Sequence, residues 1–288
     1  MSLKGNWFTE VHEDAKSAFS YEITQKLHEE QSAFQHIEIY ETKGFGNLMV
    51  IDGYIMLTQR DNFIYHEMIS HTALFSHPDP KRVLIIGGGD CGTLREVLKH
   101  PSVEMVHQID IDEQVTRLAE IYFPELCESN NDPRAELMFI DGIQWVKDAA
   151  DASYDLIIVD STDPVGPAEG LFSKPFFEQC FRALDKSGML IQQSESPLYH
   201  MHLLKDMYKV MRGGGFVDTK TFFFPQCSYP SGWWTTTLTC KDALINGFRE
   251  DDAINKPFKT QYYNAGIHRG AMAAPEFFYP EIMKSLDS

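Results

Sequence analysis

Two aspartates, three residues apart, follow a run of apolar residues in the segment "YDLIIVDSTDP". The run from Leu156 to Val159 has the composition of a buried strand, so Asp160 is expected at the end of that strand and Asp163 in the turn that follows. No histidine adjoins them, and their spacing is not that of a metal site. Such a pair suits the binding of a cation and the removal of a proton from an amine.

Further aspartates fall where other predicted strands end. Asp90 follows "RVLIIGGG", Asp110 ends "EMVHQID", and Asp141 ends "AELMFID". Because the carboxyl ends of parallel strands meet at one edge of a sheet, where ligands bind, we expect these carboxylates to line a common mouth. A mouth lined with aspartates attracts cationic ligands and repels anionic ones.

The segment "GGGDCG" contains the pattern Gly-x-Gly-x-x-Gly in Gly87, Gly89 and Gly92, after a predicted strand and before a predicted helix. Glycines at these positions allow a tight turn and a close approach of a ligand to the backbone. Asp110 follows about 20 residues later, where a carboxylate can accept hydrogen bonds from both ribose hydroxyls. The pattern therefore predicts a nucleoside-binding site.

Two classes of nucleoside ligand share this pattern. A dinucleotide would place its pyrophosphate at the helix N-terminus, where the charge of Asp90 would repel it, whereas a sulfonium or an ammonium group would be attracted. Asp141 and Gly142 are suited to receive an adenine amino group. We therefore expect a sulfonium nucleoside of the S-adenosylmethionine type in preference to NAD, and an NAD-dependent oxidoreductase is the more distant alternative.

The elements that position these side chains fall into two parts. Residues 34–57 contain short segments of alternating apolar and polar residues separated by turns with glycine, which is typical of an antiparallel meander. Residues 61–76 change to helical spacing. The breaker segment "HPDPKR" then predicts a boundary between an N-terminal β domain with its following helix, at 1–76, and a catalytic domain at 77–288.

From residue 82 onward, strand and helix patterns alternate along the chain. Continuous apolar strands separated by helices indicate a parallel sheet with both faces covered. The last strand patterns, "GFVDTKTFFFP" and "GWWTTTLTCK", predict an antiparallel hairpin. The predicted fold is therefore α/β, with a mostly parallel seven-stranded sheet that ends in an antiparallel hairpin. That ending is typical of S-adenosylmethionine-binding sheets rather than of dehydrogenases.

Charge and cysteine usage narrow the classes of partner. The chain has 25 basic and 42 acidic residues, so its net charge of −17 would repel nucleic acid and attract a small cationic substrate. The five cysteines form no Cys-x-x-Cys pair, which disfavours zinc and disulfides and favours the reducing cytoplasm. Neither a membrane-spanning run nor a signal peptide is predicted. His200 and His202 are expected on the surface of a helix rather than as metal ligands.

Several longer motifs occur together: "VLIIGGGD", "YDLIIVDSTDPVGPAEGLF", "SYPSGWW" and "YYNAGIHRGAMAAPEF". With "GFGNLMVIDGYIMLTQRDNFIYHEMISH" they resemble the spermidine synthases, or polyamine aminopropyltransferases, over about residues 5–282. The resemblance implies a small β domain on a Rossmann-like domain, assembled as a homodimer or homotetramer. It also implies transfer of the aminopropyl group of decarboxylated S-adenosylmethionine to putrescine, giving spermidine and methylthioadenosine, with no cofactor and no metal.

The resemblance implies roles for individual residues as well. Asp160 would be the base that takes a proton from the attacking amine, Asp163 would help to anchor the diamine, and Asp90 would hold the aminopropyl ammonium of the donor. Tyr65, His66 and Tyr229 would flank the amine channel. The donor nucleoside would be held by Gln35, Gly87, Gly89, Asp110, Asp141, Gly142 and Pro167.

Some residues differ from those common in the family, and they leave the acceptor amine open. These residues include Met56, Gln59, Asn62 and Trp233. One alternative is an aminopropyltransferase for cadaverine, agmatine or spermidine, and another is an amine N-methyltransferase that uses S-adenosylmethionine. A non-catalytic homologue that binds a nucleoside and regulates a partner is a third, although a protein without catalysis has no need for the base.

Overall fold

The computed structural model describes residues 4–163 and 166–286, apart from the side chains of Pro167 and Ser285. The N-terminal part is a five-stranded antiparallel sheet whose strands follow one another in sequential order. The strands are β1 (Trp7–His12), β2 (Ser17–Gln31), β3 (His36–Thr42), β4 (Gly46–Ile51) and β5 (Tyr54–Thr58). The last three strands form the meander that the sequence predicts.

The strands β1 and β2 are absent from the prediction, which starts the meander at residue 34. Half of the residues in β1 and most of those in β2 are only partly buried, so neither strand has a clean apolar face. Register shifts at 23–25 and 26–28 also interrupt the pairing of β2 with β3. These irregularities break the two-residue periodicity that identifies a strand in a sequence.

The second sheet confirms the predicted fold. Its strands are β6 (Arg82–Gly87), β7 (Met105–Asp110), β8 (Ala135–Phe139), β9 (Tyr154–Asp160), β10 (Leu184–Gln193), β11 (Asp218–Pro225) and β12 (Trp233–Cys240). Their order is β11-β12-β10-β9-β6-β7-β8, and β12 runs antiparallel to both of its neighbours. The antiparallel ending is therefore the predicted hairpin of β11 and β12.

Helices cover both faces of this sheet. They are α1 (Asn62–Ser76), α2 (Gly92–Leu98), α3 (Glu113–Tyr122), α4 (Gly142–Asp148), α5 (Lys174–Ala183), α6 (Met201–Gly213), α7 (Glu250–Ile254), α8 (Ala265–Ala271) and α9 (Phe278–Leu286). Alternate residues of β9 enter different apolar clusters: Ile158 packs with Met68 of α1, and Ile157 packs with Phe177 of α5. Both faces of the central strand are thus buried, as its continuous apolar run predicts.

The segment "QYY" near the C-terminus holds α1 in place. The buried carboxylate of Glu67 accepts hydrogen bonds from the backbone N–H groups of Gln261, Tyr262 and Tyr263 at 2.7, 2.8 and 2.7 Å. Glu67 follows Tyr65 and His66 on the same helix, so these bonds also fix two side chains of the site described below. Within the described residues, every helix is too short or too polar to span a membrane.

Candidate active site

A cleft lies at the carboxyl edge of the parallel strands, where β6 to β9 face the N-terminal sheet. All of the predicted strand-end aspartates line it: Asp90, Asp110, Asp141, Asp160 and Asp163. The predicted nucleoside contacts Gln35, Gly87, Gly89 and Gly142 line it too, as do Tyr65 and Tyr229. The side chain of Pro167 lies outside the described residues. The predicted carboxylates are therefore neighbours in the fold.

The glycine turn after β6 brings the backbone against β9. Gly87 pairs with Asp160 in the parallel register and has a positive φ of +83°. A Cβ atom at Gly87 would lie 2.1 Å from the Asp160 carbonyl oxygen, so no other residue fits. That oxygen accepts a hydrogen bond from the Gly88 N–H at 2.7 Å. The turn and the end of β9 are thus locked together.

The Asp160 carboxylate is held by two hydroxyl groups. Tyr65 Oη donates to Oδ1 and Thr93 Oγ1 donates to Oδ2, each at 2.6 Å. Burial raises the pKa of Asp160, repulsion by Asp90 raises it further, and His66 and the two hydroxyl donors oppose the rise. A buried carboxylate with a raised pKa accepts a proton more readily than one in water, as a general base must.

The pKa of Asp90 is lowered, in contrast to that of Asp160. Its Oδ1 accepts a hydrogen bond from the Gly92 N–H at 2.7 Å, and its Oδ2 lies 3.2 Å from His66 Nε2. Burial opposes ionisation, but His66 and the Gly92 N–H outweigh it, so the pKa of Asp90 is lowered. The same contact raises the pKa of His66. Asp90 is therefore a carboxylate that stays negative and attracts a cation.

His66 does not line the cleft, in contrast to the prediction that it flanks the amine channel. It is 1% exposed and lies behind Asp90, where α1 meets α2. A Cβ atom on Gly92 would lie 2.2 Å from Cε1 of the His66 ring, so this third glycine of the motif leaves room for the imidazole. The role of His66 in this geometry is to hold Asp90 in its charged form.

Three of the predicted nucleoside contacts that line the cleft are Asp110, Asp141 and Gln35. Asp110 accepts a hydrogen bond from the Asp112 N–H at 2.8 Å, and burial raises its pKa to about 6. Asp141 caps α4 by accepting from the Ile143 N–H at 2.8 Å. Carboxylates at the ends of β7 and β8 are thus placed to accept hydrogen bonds from a ribose and an adenine.

Gln35 reaches the cleft from the N-terminal sheet. Its backbone N–H donates to Ser32 Oγ at 3.0 Å, and Ser32 Oγ donates to Asp112 Oδ2 at 2.6 Å. Asp112 also caps α3 by accepting from the Gln114 N–H at 3.1 Å. A chain of hydrogen bonds therefore connects the loop that carries Gln35 to the helix that follows Asp110.

Aromatic rings form the wall beside Asp160. The Tyr65 and Tyr229 rings meet edge to face with centroids 5.8 Å apart, and Tyr229 packs against Trp234 at 4.7 Å. Tyr229 Oη donates to the Met56 carbonyl oxygen at 2.7 Å, which joins the loop after β11 to β5. An apolar wall next to a carboxylate suits an alkyl chain that ends in an amine.

The residues that differ from the family pattern have separate positions. Met56 lines the cleft, whereas Gln59, Asn62 and Trp233 do not. Gln59 accepts from the Asn47 N–H, and Asn62, the first residue of α1, donates to the Thr58 and Gln59 carbonyls. Trp233 packs against other aromatic rings. Met56 is therefore the one of these four that is placed to contact a ligand in the cleft.

Several residues of the cleft region escape the sequence prediction. Glu10 lines the cleft from β1, is 4% exposed and accepts from the Ile55 N–H at 2.6 Å, and burial raises its pKa to about 7. His200 precedes α6, with Nδ1 2.8 Å from Glu195 Oε2, whereas His202 is exposed on that helix. His200 is therefore partly buried at the start of the helix, whereas His202 has the expected surface position. Nothing in the local sequence marks Glu10, Thr93 or Glu195 as part of a site.

Two known domain families match the chain. The spermine/spermidine synthase domain matches residues 62–248, and the spermidine synthase tetramerisation domain matches residues 6–59. The polyamine aminopropyltransferase of Thioalkalivibrio sulfidiphilus is 65% identical, with 96% of this chain and 98% of the relative covered. The enzyme of the same name from Methylococcus capsulatus is 64% identical, with 95% of each chain covered.

Solved structures of this family share the whole fold. A spermidine synthase crystallised with the transition-state analogue AdoDATO has a TM-score of 0.93 and 33% identity, covering 99% of this chain and 98% of that one. Spermidine synthase from Thermotoga maritima has a TM-score of 0.92 and 33% identity, covering 99% and 96%. The chain therefore belongs to the spermine/spermidine synthase family of polyamine aminopropyltransferases and is an enzyme.

Proposed function

We propose that the protein transfers the aminopropyl group of decarboxylated S-adenosylmethionine to putrescine, giving spermidine and 5'-methylthioadenosine. The observation that carries the proposal is the partly buried Asp160 carboxylate in a cleft whose charged lining is entirely acidic. Neither Lys nor Arg is among the described residues that line this cleft. A cationic donor and a cationic acceptor both fit such a charge distribution, and an anionic cofactor does not.

The reaction requires the removal of one proton from the acceptor. A primary ammonium has a pKa near that of lysine, about 10.4, so the amine arrives protonated at neutral pH. As its nitrogen forms a bond to the aminopropyl carbon, the carbon–sulfur bond breaks and the electron pair leaves with neutral methylthioadenosine. Asp160 accepts the proton, and its raised pKa favours that transfer.

Asp90 accounts for the choice of donor. Its ionised carboxylate would attract the aminopropyl ammonium of decarboxylated S-adenosylmethionine and would repel the carboxylate of intact S-adenosylmethionine. Because the leaving group is a neutral thioether, we propose that the reaction needs neither a metal nor a cofactor. The described group best spaced to hold a metal, Glu29, His36 and Glu38, lies outside the cleft, and Lys26 already contacts both of its carboxylates.

The match to a tetramerisation domain supports a homo-oligomer, and we expect a dimer or a tetramer. All five cysteines are free, which agrees with a cytoplasmic enzyme. The expected partners are the two small cationic substrates, without nucleic acid or membrane.

Mass spectrometry of the products tests the proposal. The protein is incubated with decarboxylated S-adenosylmethionine and a panel of putrescine, cadaverine, agmatine and spermidine, and separately with intact S-adenosylmethionine. Spermidine should be the main product. Methyl transfer from the intact donor alone would refute the proposal, and preference for another amine would change only the acceptor.

The Asp160→Asn variant tests the base. Turnover should be abolished while methylthioadenosine binding is largely preserved, because a side-chain amide in place of the carboxylate cannot accept the proton. Asp79→Asn is the matched control, since Asp79 is 67% exposed in its side chain and lies outside the cleft. Near-normal turnover by Asp160→Asn would remove Asp160 from the role of base.

A further inference from the structure

The loop between β11 and β12 carries Tyr229 into the cleft. We call residues 226–232 the Tyr229 loop, and hydrogen bonds hold it against the N-terminal part of the chain. Tyr229 Oη donates to the Met56 carbonyl oxygen at 2.7 Å. The Ser228 N–H donates to Asp61 Oδ2 at 2.9 Å. Met56 lies in β5 and Asp61 directly precedes α1, so both bonds reach the connection between the N-terminal sheet and its following helix.

The side chain of Asp61 serves this loop rather than its own helix. An aspartate directly before a helix ordinarily accepts hydrogen bonds from N–H groups of the first turn. Among the described residues, Asp61 makes no such bond to α1 and accepts instead from Ser228, 167 residues away, and from Thr58 Oγ1 at 2.5 Å. Asp61 is 5% exposed, and both of its donors are fully buried. Its carboxylate therefore fixes the Tyr229 loop relative to the start of α1.

Backbone hydrogen bonds close the Tyr229 loop on itself. The Gln226 N–H donates to the Gly232 carbonyl oxygen at 3.1 Å, and the Gly232 N–H donates to the Tyr229 carbonyl oxygen at 3.0 Å. The Tyr229 N–H donates to the Gln226 carbonyl oxygen at 3.1 Å, and Gln226 Nε2 donates to Ser228 Oγ at 3.0 Å. Because a loop tied in this way moves as one unit, the anchor at Ser228 sets the position of the Tyr229 ring.

Asp61 thereby joins the two elements that carry the aromatic wall of the cleft. Tyr65 lies in the first turn of α1, four residues after Asp61, and Tyr229 directly follows the residue that Asp61 anchors. The two rings meet edge to face with centroids 5.8 Å apart, and Tyr65 Oη donates to Asp160 at 2.6 Å. Displacement of the Tyr229 loop would therefore open the wall on the side of the base.

We propose that Asp61 is a positioning residue for the acceptor amine: it holds the Tyr229 loop against the start of α1 and so fixes the ring on which the alkyl chain of the acceptor packs. The inference rests on the proposed function and deepens it. Asp61 lies outside the lining of the cleft, so it acts through Tyr229 rather than by contact with a substrate. The predicted nucleoside contacts Asp110 and Asp141 stand at the ends of β7 and β8, so donor binding should be unaffected.

Steady-state kinetics of two Asp61 variants test the inference. Asp61→Ala removes both bonds, so kcat/KM for the amine should fall by about ten- to a hundredfold while KM for the donor stays within about twofold. In Asp61→Asn the amide oxygen can accept from the Ser228 N–H and the amide N–H can donate to Thr58 Oγ1, so kcat/KM should stay within about threefold of the wild type. Equal losses in the two variants would assign the effect to charge and overturn the inference, as would wild-type kinetics in both.

The matched control for lost stability is Asn264→Ala. Asn264 is exposed and caps α8 by accepting from the Ile267 N–H at 3.0 Å. Its removal should lower Tm and leave kcat/KM for the amine unchanged. A fall in kcat/KM as large as that of Asp61→Ala would show that loss of stability alone accounts for the effect, and it would overturn the inference.

A double-mutant cycle shows whether Asp61 acts through Tyr229. In a Tyr229→Ala background there is no ring to position, so adding Asp61→Ala should lower kcat/KM for the amine by less than about twofold. Losses that multiply would overturn the inference. If Asp61→Ala does not fold, Thr58→Val takes its place in the cycle, because it removes only the hydroxyl bond to the carboxylate and should lower kcat/KM by about two- to tenfold.

Calorimetry separates the inference from the proposed function. The rates use the amine that the wild type prefers, so a different acceptor changes the proposed function and leaves the comparison intact. That amine, or putrescine where there is no turnover, is titrated into the complex with methylthioadenosine. Binding should weaken by about tenfold in Asp61→Ala and not in Asp61→Asn. This result without turnover would refute only the proposed function, whereas equal binding by the wild type and Asp61→Ala would overturn the inference.

Discussion

The hydrogen bond from Tyr65 to Asp160 offers a direct test of how the base is tuned. Tyr65→Phe removes the hydroxyl that donates to Asp160 Oδ1 at 2.6 Å and leaves the Thr93 bond to Oδ2 intact. This hydroxyl stabilises the ionised carboxylate, so its loss should raise the pKa of Asp160 further. Because the base must be ionised to work, the acid limb of the kcat profile should move to higher pH.

The size of the displacement follows from the geometry. A bond of 2.6 Å from a hydroxyl to a partly buried carboxylate is of the charge-assisted type, and such bonds contribute about 1.5–3 kcal/mol. Since about 1.4 kcal/mol corresponds to one pH unit, the limb should move upward by roughly one to two units. At a pH on the original limb, kcat should therefore fall by roughly ten- to a hundredfold and recover as pH rises.

The assay is kcat at saturating substrates from pH 5.5 to 9, together with methylthioadenosine binding and thermal unfolding. Tyr208→Phe is the matched control, because the buried Tyr208 hydroxyl bonds to Thr221 in the edge strand β11, which β12 and β10 separate from the β9 strand of Asp160. That variant should lose some stability and keep the wild-type profile. A folded Tyr65→Phe enzyme whose acid limb stays within about 0.3 units of the wild type would refute the account of Asp160.

Three further changes have defined outcomes. Asp90→Asn should weaken the selection against intact S-adenosylmethionine in competition binding, and an unchanged donor preference would contradict its assigned charge. Burial raises the pKa of Asp110 from 3.8 in the unfolded chain to about 6 in the folded protein, so folding favours the protonated side chain. The stability that this gives is fully present below pH 4 and is lost as pH rises through 6. Asp110→Asn should therefore raise the unfolding free energy at pH 7.5 by at most about 3 kcal/mol while weakening methylthioadenosine binding, and a lower Tm would refute this sign. Gly92→Ala should lower the free energy of unfolding by about 1–3 kcal/mol, because the new Cβ would lie 2.2 Å from the His66 ring. The control Gly270→Ala, in α8, adds a Cβ in open space and should not destabilise the protein. Equal Tm values for the two variants would refute the packing argument.

Strand periodicity and the positions of strand ends account for most of what the sequence predicts. The apolar runs of β6 and β9 are buried on both faces, so they identify the parallel sheet, and their last residues identify the ligand edge. Asp90, Asp110, Asp141 and Asp160 meet there because a parallel sheet brings strand ends together regardless of their distance along the chain.

Contacts between distant elements are what the sequence does not reveal. His66 contacts Asp90 only because α1 packs on α2, so its position behind the carboxylate depends on helix packing rather than on any local pattern. Glu10 reaches the cleft from β1, which lacks the alternation that would mark it as a strand. The carboxylates at the ends of strands in one sheet are therefore predictable, whereas contacts that depend on how the two sheets or two helices pack are not.

The place of β1 at the rim of the N-terminal sheet has a consequence for divergence within the family. This strand pairs with β2 alone, yet it carries Glu10 into the cleft. An edge strand can accumulate substitutions without disturbing the ladder beyond its single neighbour. Evolution, or a chimera that exchanges residues 7–12, can therefore alter the acceptor end of the cleft while the nucleoside end, built on β6 to β9, is inherited unchanged.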